Sequence, residues 1–236
     1  MNPNAFIFFV MTLIALPVNA EDGVVLLHGL CRSAASMNQM EKFIRSSGYV
    51  VLNVDYKTRE SSIAEIADQV IPEALGNPIF KDCKRIHFVT HSLGGIIVRS
   101  YFSRNPSDKL GRVVMLAPPN QGSEVVDRLK GWSLFKLVNG PAGTELGTDA
   151  TATPVALGPV TFEVGVIAGD RSINWINSSM IKGSDDGKVS TERSKVSGMK
   201  DYRVVHVSHP YIMKNKAVMQ ATLNFLENGD FGALKK

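Results

Sequence analysis

The stretch Arg85–Arg104, RIHFVTHSLGGIIVRSYFSR, decides the fold. Its first part, RIHFVTHS, is a short apolar run rich in β-branched and aromatic residues, which predicts a buried strand. Its second part, LGGIIVRSYFSR, is apolar at helical spacing. Between them lies His91-Ser92-Leu93-Gly94-Gly95. A side chain presented on a sharp strand-to-helix turn needs small neighbours, because the backbone is strained and the chain packs closely there. Gly94 meets that need two residues after Ser92, and Gly95 lets the helix approach the sheet. Thr90 stands two residues before, where glycine is usual. In isolation, Ser-x-Gly would be a helix cap. With a strand before it and an apolar helix after it, it predicts a nucleophilic serine.

Outward from this joint the chain repeats the same alternation. GVVLLHG, YVVLNVDY, GRVVMLAPP, TFEVGVIAG and DYRVVHVSH are further strand-like runs. SAASMNQMEKFIRSSG carries Met37, Met40, Phe43 and Ile44 on one helical face. SSIAEIADQVIPEALG opens with a capping box, Ser62 to Glu65, and Pro72 is expected to kink or split it. SEVVDRLKGWSLFKLV is amphipathic with a weak point at Gly131; NGPAGTELGTDATATPVALGPV is expected to be a long loop. PYIMKNKAVMQATLNFLENG closes the chain as a helix. Strands joined by helical crossovers imply an α/β fold: a mostly parallel sheet of about six strands with helices on both faces. Ligands then bind beyond the carboxyl ends of the strands.

The 236 residues are 44% hydrophobic, enough for one core, and the net charge of +4 is scattered. With no Lys/Arg block there is no nucleic-acid footprint. The uncharged run Ala5–Leu16 is too short to span a bilayer, which takes ~20 residues. Val18-Asn19-Ala20 before Glu21 resembles a signal-peptidase site, although MNPN lacks a basic residue. Residues 1–20 are therefore expected to be a signal peptide cleaved near Ala20, with a retained membrane anchor as the alternative. Residues 21–236 would then form one domain, exported to the periplasm or the medium. Cys31 follows one strand and Cys83 precedes another, so a parallel sheet puts them at opposite edges, and two free thiols are expected. The five histidines are not spaced as metal-ligand pairs, and no dinucleotide or phosphate-loop motif occurs. No metal or cofactor is expected.

A serine hydroxyl needs a base to take its proton, and the base needs an acid to fix its tautomer. His209 falls just past the last strand, whereas His206 falls inside it and is expected to be structural. Asp186 in GSDDGKVS is the preferred acid; Asp170, at a strand end, and Asp185 are its rivals. An oxyanion needs two preorganised N–H donors. Leu93, at the helix start, and Leu30, in the His28-Gly29-Leu30 loop, are the candidates, with His28 itself structural.

Taken together, VVLLHGL, NVDY, FVTHSLGGIIVR, VVMLAPPNQGS, SDDGKVS and VSHPYIM resemble the α/β-hydrolase serine esterases and lipases, closest to small bacterial lipase-like hydrolases with little cap. The resemblance spans Val24 to Met213. It implies Ser92 as nucleophile, His209 as base, Asp186 as acid, and Leu30 and Leu93 as the oxyanion hole. In such lipases the acid stands in an Asp-x-x-Val step ahead of the last strand, as Asp186-Gly187-Lys188-Val189 does, and the Thr90 position tolerates Ala or Thr. APPNQGSE resembles a loop that shapes the pocket. The expected activity is cleavage of ester or lipid-like substrates through an acyl-enzyme, with transient contact to a lipid surface. Acyl transfer or thioester hydrolysis on the same triad is the alternative; a silent binding protein on this fold is a more remote one. GWSLFKLV is expected to be either a core helix or a pocket wall or lid.

Overall fold

A computed structural model describes residues 22–233; the expected leader, residues 1–20, lies outside the described residues. In chain order the elements are β1 (Asp22–Leu27), α1 (Asn38–Ser46), β2 (Val50–Val54), α2 (Ile63–Leu75), β3 (Arg85–His91), α3 (Leu93–Phe102), β4 (Leu110–Leu116), α4 (Glu124–Leu129), α5 (Ser133–Thr144), α6 (Thr153–Ala156), β5 (Val164–Gly169), α7 (Trp175–Ser178), β6 (Asp201–Val205) and α8 (Lys216–Asn228). The six strands form one sheet in the order β2-β1-β3-β4-β5-β6, and each adjacent pair is parallel.

Strand residues alternate between two cores, as the two-residue period of a strand demands. Val25, Leu27, Phe88, Val113 and Met115 face α2 and α3. Val24, Leu26, Val89, Val114 and Leu116 face α1 and α8. Both faces are covered, which is why these strands are continuously apolar. β3 lies between β1 and β4, with Thr90 level with Leu27 on one side and Met115 on the other. The turns that follow β1, β3 and β4 therefore meet at one edge. Cys31 and Cys83 are both free thiols.

Three local expectations change. Pro72 does not split α2, which runs on to Leu75. Both Pro72 and Asp68, whose carbonyl loses its usual donor, are exposed, so water can satisfy that carbonyl. The segment expected as a long loop is partly helical: α5 reaches Thr144, and α6 follows. Gly140 (φ 65°) breaks α5 where an added Cβ would lie 2.1 Å from the Arg59 carbonyl oxygen. The closing helix starts later than its apolar pattern suggests. His209–Lys214 is a 3-10 turn, and Asn215 then caps α8 by accepting from the Ala217 and Val218 amides at 2.9 and 3.1 Å.

Candidate active site

Ser92 occupies the corner between β3 and α3 with φ 52° and ψ −119°, a conformation rarely adopted by a residue with a side chain. Small neighbours make the corner possible. A Cβ on Gly94 would lie 2.8 Å from the Leu27 carbonyl oxygen; one on Gly29 would lie 3.1 Å from Ser92 Cβ. Thr90 is fully buried and its hydroxyl reaches the Val114 carbonyl at 3.4 Å, so the larger residue is absorbed within the sheet. The Ser92 amide donates to the Leu116 carbonyl at 2.9 Å, pinning the corner to β4. Leu93 is the first residue of α3, and its amide has no acceptor within the helix.

His209 and Asp186 meet at the same edge. His209 Nδ1 donates to Asp186 Oδ2 at 2.7 Å, and the His209 amide donates to the Asp186 carbonyl at 2.9 Å. The other carboxylate oxygen of Asp186 accepts from the Lys188 and Val189 amides at 3.0 and 2.9 Å. The loop thus orients the Asp186 carboxylate, which engages Nδ1 of His209 and leaves Nε2 as the nitrogen free to face the cavity. Asp185 instead braces the loop, accepting from Ser178 Oγ and the Gly187 amide, each at 2.7 Å. Asp170 is paired with His206, Oδ1 to Nδ1 at 2.8 Å. His206 lies just beyond β6 with its side chain 75% exposed, not inside the strand as expected. His28 is fully buried; its Nδ1 donates to the Gly29 carbonyl, and its ring stacks on Tyr56 at 4.2 Å, the packing role expected for it.

Ser92, His209 and Leu30 line one cavity of about 270 Å³. Its apolar wall comes from α4 and α5, including Val125, Val126 and Phe135. A cavity of about 290 Å³ lies at the amino edge of the sheet, beside Arg85, Leu110 and Glu163, away from these groups. The segment GWSLFKLV is a cavity wall, not a core helix: Phe135 faces inward, while Trp132, Leu134 and Leu137 are 65%, 68% and 78% exposed. Trp175, the first residue of α7, is 79% exposed, and Asn177 of the same helix lines the cavity.

Two further residues complete the arrangement. His91 is buried, and its Nε2 donates to the His209 carbonyl at 3.1 Å, with the two rings 4.8 Å apart. Burial first, then the neighbouring His209 and Arg32, push the His91 ring well below its ordinary pKa, so it stays neutral. Gly169 ends β5 where a Cβ would lie 2.3 Å from the Val207 carbonyl oxygen and 3.0 Å from Asp186 Cβ. A histidine beside the serine was the available signal for His91; Gly169 had none, because its reason is a contact between distant segments. Among the described residues no group of three or more His, Cys, Asp or Glu side chains could hold a metal ion.

The family model described as palmitoyl protein thioesterase matches residues 23–155, more than half of the chain. No curated protein matches it. Similar solved structures include a lipase of Bacillus licheniformis in its mature form, at 19% identity and a TM-score of 0.66, covering 92% of this chain and 95% of that one. A phospholipase from Legionella pneumophila has 16% identity and a TM-score of 0.68, over 91% of this chain and 60% of that one. An extracellular α/β-hydrolase from a Paenibacillus species has 15% identity and a TM-score of 0.57, over 86% and 97%. At these identities the likeness carries the fold, which is that of the α/β-hydrolases.

Proposed function

The chain belongs to the palmitoyl protein thioesterase family, and we propose that it is an exported serine hydrolase that cleaves carboxylic esters through Ser92, His209 and Asp186. One observation carries the reading: Asp186 and His209 lie 2.7 Å apart beside a cavity that Ser92 also lines, at the carboxyl edge of the sheet. Ser92 Oγ attacks the acyl carbon as its proton passes to His209 Nε2. The Leu30 and Leu93 amides stabilise the oxyanion. His209 returns the proton to the departing alcohol, leaving an acyl-enzyme that water hydrolyses. Residues 21–236 act as one hydrolase domain after removal of the leader at residues 1–20.

The family match favours a second reading on the same groups, hydrolysis of a thioester. A thiol, with pKa about 8.5, departs as an anion more readily than an alcohol and asks less of the base. The exposed apolar residues on the segments that line the cavity support use at a lipid surface. Trp132, Leu134 and Leu137 are exposed on the segment that lines it through Phe135, Trp175 on the helix that lines it through Asn177, and residues 171–184 carry Arg171 and Lys182 with no Asp or Glu. Among the described residues no helix is long and apolar enough to cross a membrane.

Fluorophosphonate labelling tests the nucleophile: wild type is expected to label and Ser92→Ala not, and equal labelling of both would sink the assignment. A panel of matched oxygen esters and thioesters of rising acyl length then separates the two readings by kcat/KM.

A further inference from the structure

The cavity has one wall that the acyl chemistry does not use. Arg32 and Lys188 line it, facing the same space as Ser92 and His209. Both are exposed, and among the described residues neither side chain has an ion-pair or hydrogen-bond partner. The nearby carboxylates are otherwise engaged: Asp186 by His209 and two amides, Asp185 by Ser178 and Gly187, and Asp55 by the Ala34 amide. Two like charges held together without a counterion are relieved by an incoming anion.

Their position says which half of the substrate carries that anion. Val125, Val126 and Phe135 form the apolar wall, which suits the acyl chain. Lys188 sits two residues after Asp186, and its amide holds the carboxylate that orients His209. Arg32 follows Leu30 in the loop after β1, with its amide bonded to the Gly29 carbonyl at 3.2 Å. His209 must protonate the departing group, so that group lies on the His209 side, with the cations. We infer that Arg32 and Lys188 receive a phosphate carried on the leaving half of the substrate, making the preferred substrate an acyl ester or thioester of a phosphorylated alcohol or thiol. This rests on the hydrolase reading of the same cavity. A guanidinium fork and an ammonium together match the several acceptor oxygens of a phosphate.

The test uses uncleavable ligands, so that it stands apart from Ser92 labelling. Binding of a long-chain alkyl ether of glycerophosphate is compared with that of the same ether of glycerol, by calorimetry, in wild type and in Arg32→Gln/Lys188→Gln. Wild type is expected to prefer the phosphate ether by about tenfold, and the preference to shrink in about 0.5 M salt. The double variant is expected to bind the two ethers equally, while Arg32→Lys/Lys188→Arg keeps the preference. Equal binding in wild type, or a preference that survives in the double Gln variant, would overturn the inference. So would a carboxylate-bearing ether that binds as tightly as the phosphate. Turnover of a phosphate-bearing oxygen ester against a phosphate-bearing thioester then separates a lipid headgroup from a phosphorylated thiol as the source.

Discussion

Ser92 holds φ at 52° because the residues around it leave no other path between β3 and α3. Such a conformation costs on the order of 1–3 kcal/mol, and it persists only when the packing over-determines it. At Gly94 that packing is against backbone, with the Leu27 carbonyl oxygen 2.8 Å from where a Cβ would lie. Gly94→Ala is expected to destabilise the protein by about 1–3 kcal/mol, because the added methyl meets the Leu27 backbone rather than a movable side chain. Urea unfolding measures this. The role proposed for Asp186 is tested by turnover. Asp186→Asn is expected to lower kcat by roughly three to four orders of magnitude, because the amide no longer holds the His209 tautomer. Asp170→Asn, which only loosens an exposed pair with His206, is expected to change kcat less than about threefold. A collapse confined to Asp170→Asn would reverse the assignment.

Among the elements, α3 does more than present Ser92. Its Arg99 is buried with no carboxylate partner among the described residues, and it donates to the Asn120 carbonyl, Asn120 Oδ1 and the Gly158 carbonyl at 2.9, 3.2 and 2.6 Å. Burial lowers its pKa to about 10. Asn120 in turn donates to the Ser194 carbonyl at 2.8 Å. The helix thereby anchors the loop after β4 that carries Pro119 and Ser123 to the cavity. Arg99→Met is expected to cost about 2–4 kcal/mol, because the carbonyls around it lose charge-assisted donors. A fall in melting temperature reads it out. The α8 cap is a smaller effect: Asn215→Ala is expected to cost about 1 kcal/mol.

For the whole molecule, buried histidines set the response to acid. His28, His87 and His91 all sit below the ordinary histidine pKa of 6.5, each mainly through desolvation. Hydrogen bonds and nearby carboxylates oppose the shift at His28 and His87. The unfolded chain takes up protons near 6.5, while the folded chain does so only at lower pH. Stability is therefore fully present above pH 6.5 and is lost as the pH falls toward the folded values, by up to about 1.4 kcal/mol per pH unit for each histidine. Denaturant unfolding at about pH 7.5 and pH 5 is expected to show this loss, and His91→Asn to flatten it. A pH-independent midpoint would contradict the assignment of these rings as neutral.

The chain itself determined the order of strands and helices and the corner at Ser92, and it narrowed the partner of His209 to Asp186, Asp170 or Asp185, among which the fold pairs Asp186. The order, the corner and the narrowing follow from local period, from turn chemistry, or from motifs a few residues long. It also marked the break at Gly131, because glycine between two amphipathic segments is a local property. Only the tertiary structure decided that Pro72 stays within α2, that GWSLFKLV is a cavity wall, and that His206 stands outside β6 against Asp170. It also brought His91 under His209, fitted Gly169 against Asp186, and put Arg32 and Lys188 on one wall. Each of these depends on which side of an element meets solvent, or on two segments far apart in the chain coming within a few ångströms. Periodicity along a single segment carries no information about either.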